Sequence, residues 1–267
     1  MTTHSSFSPS SDTAQPLLVL DRISKHFRVA GGGLFHAVKS VSLTVYAGEI
    51  VALVGESGSG KSTLGRIALG LMKPDGGSVT FDGQCLTDMP SEQFRTLRTG
   101  MQPIFQDPTA SLNPRRTVRE LLEQALWKQP GDHASRCLRL LEDVGLRPAA
   151  RFIDRYPHEL SGGQRQRVSI ARSLAMEPRL IIADEPLSGA DVSIRGQVLN
   201  LLLDIQRSRD VAYLMITHDI SIARAFADRV AVMMQGDLVE VGPAEAVLTT
   251  PQHEYTRRLV GAVPVLG

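Results

Sequence analysis

The sequence predicts an α/β fold: a mainly parallel sheet flanked by helices, a phosphate-binding loop on that sheet, and an inserted α-helical subdomain. Three observations predict it. The apolar run Ile50-Val51-Ala52-Leu53-Val54 leads into Gly55-Glu56-Ser57-Gly58-Ser59-Gly60-Lys61-Ser62-Thr63, after which Leu64, Ile67, Ala68 and Leu71 share one helical face. A second run, Leu180-Ile181-Ile182-Ala183, is apolar on both faces, as a central parallel strand requires, and ends in Asp184-Glu185-Pro186. Between these two, residues 107–175 read as helix.

Composition narrows the classes. A chain of 267 residues can bury a sizeable core and reads as one large domain or as a domain with a lobe. With 29 basic against 28 acidic residues, it lacks the electrostatic footprint of a nucleic-acid binder. No apolar run approaches the roughly 20 residues that cross a bilayer. Residues 1–16, rich in Ser, Thr and Pro and without an apolar h-region, read as a disordered tail rather than a signal peptide. Cys85 and Cys137 match neither a metal nor a redox spacing and read as small buried apolar residues in a reduced setting.

Taken in order, residues 17–20 and 41–45 read as strands around a Gly31-Gly32-Gly33 loop, with Phe27 near the end of the first. Pro74-Asp75-Gly76-Gly77 makes a turn into a strand over 78–81 that stops at Asp82-Gly83. In the helical stretch, Thr117 and Glu120 form a capping box ahead of the apolar face Val118, Leu121, Leu122, Ala125. Asp132 caps a helix with Cys137, Leu140, Leu141 and Val144 inward, stopped by Gly145. A helix from Asp191 buries Ile194, Val198, Leu201, Leu202 and Ile205. A strand over 211–217 follows, and then a hairpin about Gln235-Gly236. Residues 243–259 read as an amphipathic helical tail.

The chemistry follows from these placements. Glycines let the backbone of residues 55–63 wrap a polyphosphate so that successive N–H groups face its oxygens, and the helix opening at Gly60-Lys61 adds the positive end of its dipole. Lys61 suits the β- and γ-phosphates, and the Ser62 hydroxyl suits Mg²⁺. Asp184, at the carboxyl end of its strand, suits the same ion, and Glu185 is placed to orient or deprotonate a water. His218, at the end of another strand, is a candidate γ-phosphate contact. Leu160-Ser161-Gly162-Gly163-Gln164 opens a further helix and makes a second anion-binding end. One γ-phosphate needs one cradle. Two cradles in one chain suggest a head-to-tail pair in which each subunit's second cradle covers the other's nucleotide.

These residues resemble, in order and over residues 17–264, an ATP-binding-cassette ATPase, the nucleotide-binding subunit of an ABC transporter. The resemblance implies ATP and Mg²⁺ as cofactors and a P-loop NTPase core with an antiparallel β subdomain and the helical subdomain of 107–175. It makes residues 55–63 the Walker A loop, Gln106 the Q-loop residue, 160–164 the signature and 180–184 the Walker B strand. It implies Glu185 as catalytic base, His218 as γ-phosphate contact, Gln106 as sensor of Mg²⁺ and lytic water, and Phe27 as the ring stacked on adenine. Ser62, Gln106 and Asp184 would serve the metal; Ser161, Gly162, Gly163, Gln164 and Asp191 would act on the partner's nucleotide. Phe105-Gln106-Asp107-Pro108, Ser111-Leu112-Asn113-Pro114-Arg115 and His253-Glu254-Tyr255-Thr256-Arg257 are similar to importers of oligopeptides, dipeptides and nickel.

That family implies a second ATPase subunit, identical or paralogous, two membrane permeases, an extracytoplasmic solute-binding protein, and residence on the cytoplasmic face of the membrane. The chain departs from the family at Gly189-Ala190 in the D-loop 188–191 and at Pro103, in the strand feeding Gln106. A nucleic-acid ATPase, an exporter and a P-loop kinase are the competing readings; the kinase does not account for residues 160–164.

Overall fold

The computed structural model describes residues 15–29, 32–107, 111–188 and 192–262. The expected tail up to residue 14, Gly31, Pro108, the D-loop residues Gly189, Ala190 and Asp191, and the chain after Ala262 lie outside the described residues, as does the side chain of Ile194.

Among the described residues, ten strands form two sheets. Strands β1 (Leu18–Arg28), β2 (Leu34–Val45), β4 (Gly76–Phe81) and β5 (Gln84–Cys85) make an antiparallel sheet in the order β2-β1-β4-β5. The larger sheet has the order β10-β9-β3-β8-β7-β6, with β3 (Ile50–Val54), β6 (Met101–Ile104), β7 (Leu180–Asp184), β8 (Ala212–Thr217), β9 (Arg229–Met234) and β10 (Asp237–Pro243). Its pairs from β9 through β6 are parallel, and β10 closes one edge antiparallel to β9.

The unbroken apolar runs are explained by what lies on each face of this sheet. Leu180 and Ile182 of β7, with Leu214 and Ile216 of β8, pack with Leu64 and Ile67 of the helix Lys61–Ala68 and with Leu18 and Leu20 of the small sheet. Ile181, Ala183, Tyr213 and Met215 point the other way, into a core shared with the helices Val118–Leu126, His133–Asp143, Gly162–Leu174 and Val192–Arg209. Period-two alternation is therefore present but masked, because both faces are covered. The parallel sheet is the middle layer of three.

The helical stretch carries its caps where the sequence puts them. Thr117 accepts from the Glu120 N–H, and Glu120 accepts in return from the Thr117 N–H at 2.7 Å. Asp132 accepts from the amides of Ala134 and Ser135, and Gly145 turns the chain at φ 75°. Pro103 falls on β6, an edge strand, where a missing ladder donor costs least.

Four expectations are corrected. Cys85 is exposed, because it lies on β5 at the edge of the small sheet, whereas Cys137 is buried as expected. The helix behind the phosphate loop ends at Ala68, because Gly70 takes φ 63°, so Leu71 leaves the apolar face and is exposed. Strands β1 and β2 are much longer than 17–20 and 41–45; register shifts along their pairing break the alternation that marks a strand. The tail is two helices, Ala244–Thr249 and Glu254–Gly261, since Pro251 interrupts it.

Candidate functional site

The loop of residues 55–60 leaves the carboxyl end of β3 and closes at Gly60, whose φ of 105° is open only to glycine. No side chain caps the helix that starts at Lys61, so its first-turn amides face outward for a ligand. The loop has no slack on its protein side. A Cβ at Gly55 would lie 2.1 Å from the Met233 carbonyl oxygen, and one at Gly60 would lie 2.1 Å from that of Ala37. The Gly236 N–H donates to the Ser59 carbonyl at 3.0 Å, and the Glu56 N–H donates to the Tyr255 hydroxyl at 2.9 Å.

Lys61 is 4 % exposed and folds back over its own loop. Its Nζ donates to the carbonyls of Gly55 and Glu56, each at 2.8 Å. Burial pulls its pKa below the usual lysine value, opposed by the charges of Glu185 and Asp184. The Ser62 Oγ donates to Asp184 Oδ1 at 2.8 Å across the gap between the two strand ends. Burial holds the Asp184 carboxyl above the ordinary range, against the Ser62 hydrogen bond.

Glu185 continues the ladder one step past β7 through its N–H to the Ile216 carbonyl at 2.9 Å, but its φ is 48°. This left-handed backbone in a residue with a Cβ is the kind of strain that collects at functional turns. The turn brings its Oε1 within 3.0 Å of His218 Nδ1, from the end of β8. A cavity of about 50 Å³ adjoins the pair, between Leu187, Ser188 and Asp219.

Other expected residues sit apart from this cluster. The Gln106 amide reaches the Ser188 hydroxyl at 3.2 Å rather than the Ser62–Asp184 pair. Phe27 pairs with Phe35 across β1 and β2, and both rings are exposed; the Ala37 carbonyl, two residues past Phe35 on β2, lies against Gly60. Ser161 and Gln164 form a reciprocal capping box at the start of their helix, at 3.3 and 3.0 Å. Ser161 and Gly162 are exposed, and a Cβ on Gly162 would meet nothing within 4 Å. Among the described residues, no hydrogen bond or ion pair joins Ser161, Gly162, Gly163 or Gln164 to residues 55–63.

Two connections were not read from the sequence. Buried Gln166 donates to the Pro186 carbonyl at 3.0 Å, tying the helix that begins at Gly162 to the turn after Glu185. Tyr255 reaches the loop from the last helix. Neither long-range bond has a local spacing signal. Elsewhere, a groove of about 470 Å³ opens between Arg95, Arg98, Phe105, Trp127 and Arg172, well away from Lys61 in the fold's topology.

A family model described as ABC transporter matches residues 38–188, which include the phosphate loop, the segment 160–164 and Asp184-Glu185. The chain belongs to the ABC transporter family. The cassette fold is that of solved members. CbiO1 of Clostridium perfringens, described as part of the transporter complex CbiONQ, superposes with a TM-score of 0.76 at 28 % identity, covering 88 % of this chain and 91 % of that one. The cassette MJ0796, solved as a dimer bound to ADP and Pi, gives 0.76 at 30 % identity, covering 85 % and 98 %. The glutathione import ATP-binding protein GsiA of Escherichia coli is 48 % identical over 261 residues, 94 % of this chain and 42 % of that protein. Its counterpart in Salmonella paratyphi A is 50 % identical over 234 residues, 86 % and 37 %. The chain thus spans about two fifths of the length of these curated relatives. No helix among the described residues is long and apolar enough to cross a membrane.

Proposed function

We propose that this ABC cassette binds and hydrolyses ATP to power an importer of short peptides or of nickel and metal chelates. It would act at the cytoplasmic membrane face with a second cassette, two permeases and an extracytoplasmic solute-binding protein. The observation that carries the ATPase reading is the convergence of Lys61, Ser62, Asp184, Glu185 and His218 at the carboxyl ends of three adjacent strands. That edge is where open α/β sheets take their ligands. GsiA, named for the import of glutathione, a tripeptide, supports the short-peptide class of cargo.

ATP phosphates offer Lys61 Nζ better acceptors than the Gly55 and Glu56 carbonyls it holds, so binding draws the ammonium out of the loop. Ser62 and Asp184 present hard oxygens 2.8 Å apart, a donor set that fits Mg²⁺. Bound there, the ion supplies neutralisation of the charge on the β- and γ-phosphates. Glu185 takes the proton of the attacking water once it is freed from His218, whose imidazole turns to the γ-phosphate. Phe27 stacks on the base, and Gln106, through Ser188, relays the state of the site. The exposed Ser161 and Gly162 and the half-buried Gly163 and Gln164, with Asp191, complete the partner's site in trans, which the dimer of MJ0796 supports by analogy.

The test is steady-state hydrolysis in the assembled transporter. Glu185→Gln should bind MgATP and hold the closed dimer with turnover lowered by about 10²–10⁴; normal turnover by that variant would remove Glu185 as base. Stimulation by a binding protein loaded with glutathione, with dipeptides or with nickel chelates identifies the cargo.

A further inference from the structure

Tyr255 lies well outside the residues 38–188 that carry the family match, yet its hydroxyl contacts the phosphate loop directly. The ring is 4 % exposed and packs in a cluster with Ala52 and Val54 of β3, Val230 and Val232 of β9, and Ile220 and Ala223. Its Oη emerges beside the second residue of the loop, where it accepts from the Glu56 N–H at 2.9 Å. Burial pushes the phenol pKa up, so the group stays a neutral phenol across working pH.

The helix that carries it is itself fastened. Glu240 of β10 accepts from the amides of Gln252 at 2.8 Å and His253 at 3.0 Å, and the His253 ring accepts from the Tyr255 N–H at 3.1 Å. Two further contacts with the loop, the Gly236 N–H to the Ser59 carbonyl and the Met233 carbonyl beside Gly55, are made by backbone. Glu56 is thus held from both sides: its N–H by Tyr255, and its carbonyl by the Lys61 ammonium that must leave when phosphates arrive.

We infer that Tyr255 is a positioning residue that keeps the phosphate loop in its nucleotide-accepting shape through the Glu56 amide. The inference rests on the ATP reading above. Tyr255 touches no reacting atom; it acts on the fraction of chains whose loop is ready. Loss of its hydroxyl lowers that fraction, and apparent affinity falls in proportion. One neutral hydrogen bond of ordinary net strength corresponds to about a fivefold change in the ratio of ready to unready loop, which is the ceiling on the change in apparent affinity. Saturating ATP restores the loop, because the phosphates then bond its amides themselves, so kcat is preserved.

The experiment compares wild type, Tyr255→Phe and Glu240→Gln as full-length chains in the assembled transporter. Tyr255→Phe should raise the KM for MgATP by up to about fivefold with kcat unchanged, and the Glu56 amide should exchange faster with solvent in the nucleotide-free chain. Glu240→Gln keeps one acceptor oxygen and should shift KM the same way by less. A purely structural role predicts the opposite split, with less active protein, lower Vmax and unchanged KM; that result overturns the inference. So does a Tyr255→Phe enzyme whose KM stays at the wild-type value. Wild-type chain that neither binds nor hydrolyses MgATP removes the ATP reading and the inference with it. The two failures are therefore told apart by the wild-type measurement alone.

Discussion

Asp184 shows how a single side chain trades stability for a ligand. Burial raises its carboxyl pKa, so the folded chain holds the proton more tightly than the unfolded chain does. Its stabilising contribution is then full below the ordinary carboxylate pKa and is lost as pH rises through the raised one. At neutral pH the carboxylate is an exception to good burial, relieved in part by Ser62 and Lys61. Asp184→Asn keeps an acceptor for Ser62 and removes the charge. It should raise the Tm of the nucleotide-free protein by about 2–4 °C, the effect of about 1 kcal/mol in a domain of this size, while abolishing the further rise on adding MgATP. Thermal melts with and without MgATP check both halves. Glu185→Gln belongs at the same scale: turnover should fall by about 10²–10⁴, the worth of a positioned general base, with ATP binding kept.

At the scale of elements, the helical stretch is set by local chemistry that can be read before any fold is known. Thr117, Glu120, Asp132 and Gly145 occupy cap and stop positions whose partners lie within four residues, and the structure uses each of them so. Thr117→Ala should cost about 1 kcal/mol in denaturant unfolding and leave the KM for ATP unchanged, since that cap is remote from Lys61. The buried strands β3, β7 and β8 were equally legible, because both-face burial writes itself as an apolar run. Other elements were not. The long strands β1 and β2 hide behind bulges, and the length of the helix after Lys61 turned on Gly70, whose backbone angle no periodicity reveals. The site divides the same way. Lys61, Ser62, Asp184 and Glu185 announce themselves by type and position, whereas Gln166 and Tyr255 act through single bonds to distant backbone atoms, Pro186 O and Glu56 N.

For the whole molecule, the exposed start of the helix Gly162–Leu174 matters most, because within one chain it serves nothing near the phosphate loop. If the two cradles meet in trans, Lys61→Ala and Ser161→Ala should each be inactive, whereas a heterodimer of the two would contain one intact site. An equal mixture should recover about a quarter of the wild-type rate if the chain pairs with itself, as half the dimers then carry one working site of two. No recovery on mixing, with both variants folded, assigns the pairing to a different cassette. Within each chain, the Gln166–Pro186 bond joins that helix to the turn beside Glu185, so closure over a partner's nucleotide would be mechanically linked to the chain's own site.

The groove beside Arg95, Arg98 and Phe105 carries a practical consequence. It holds Trp127, the only tryptophan in the sequence, with 59 % of its surface exposed. Intrinsic fluorescence excited at the indole is therefore an optical probe with one origin and a known address. Emission that shifts on adding a membrane partner reads contact in the groove without any label. Emission that shifts on adding nucleotide alone reports that a change begun at Lys61 has travelled across the sheet to this far wall.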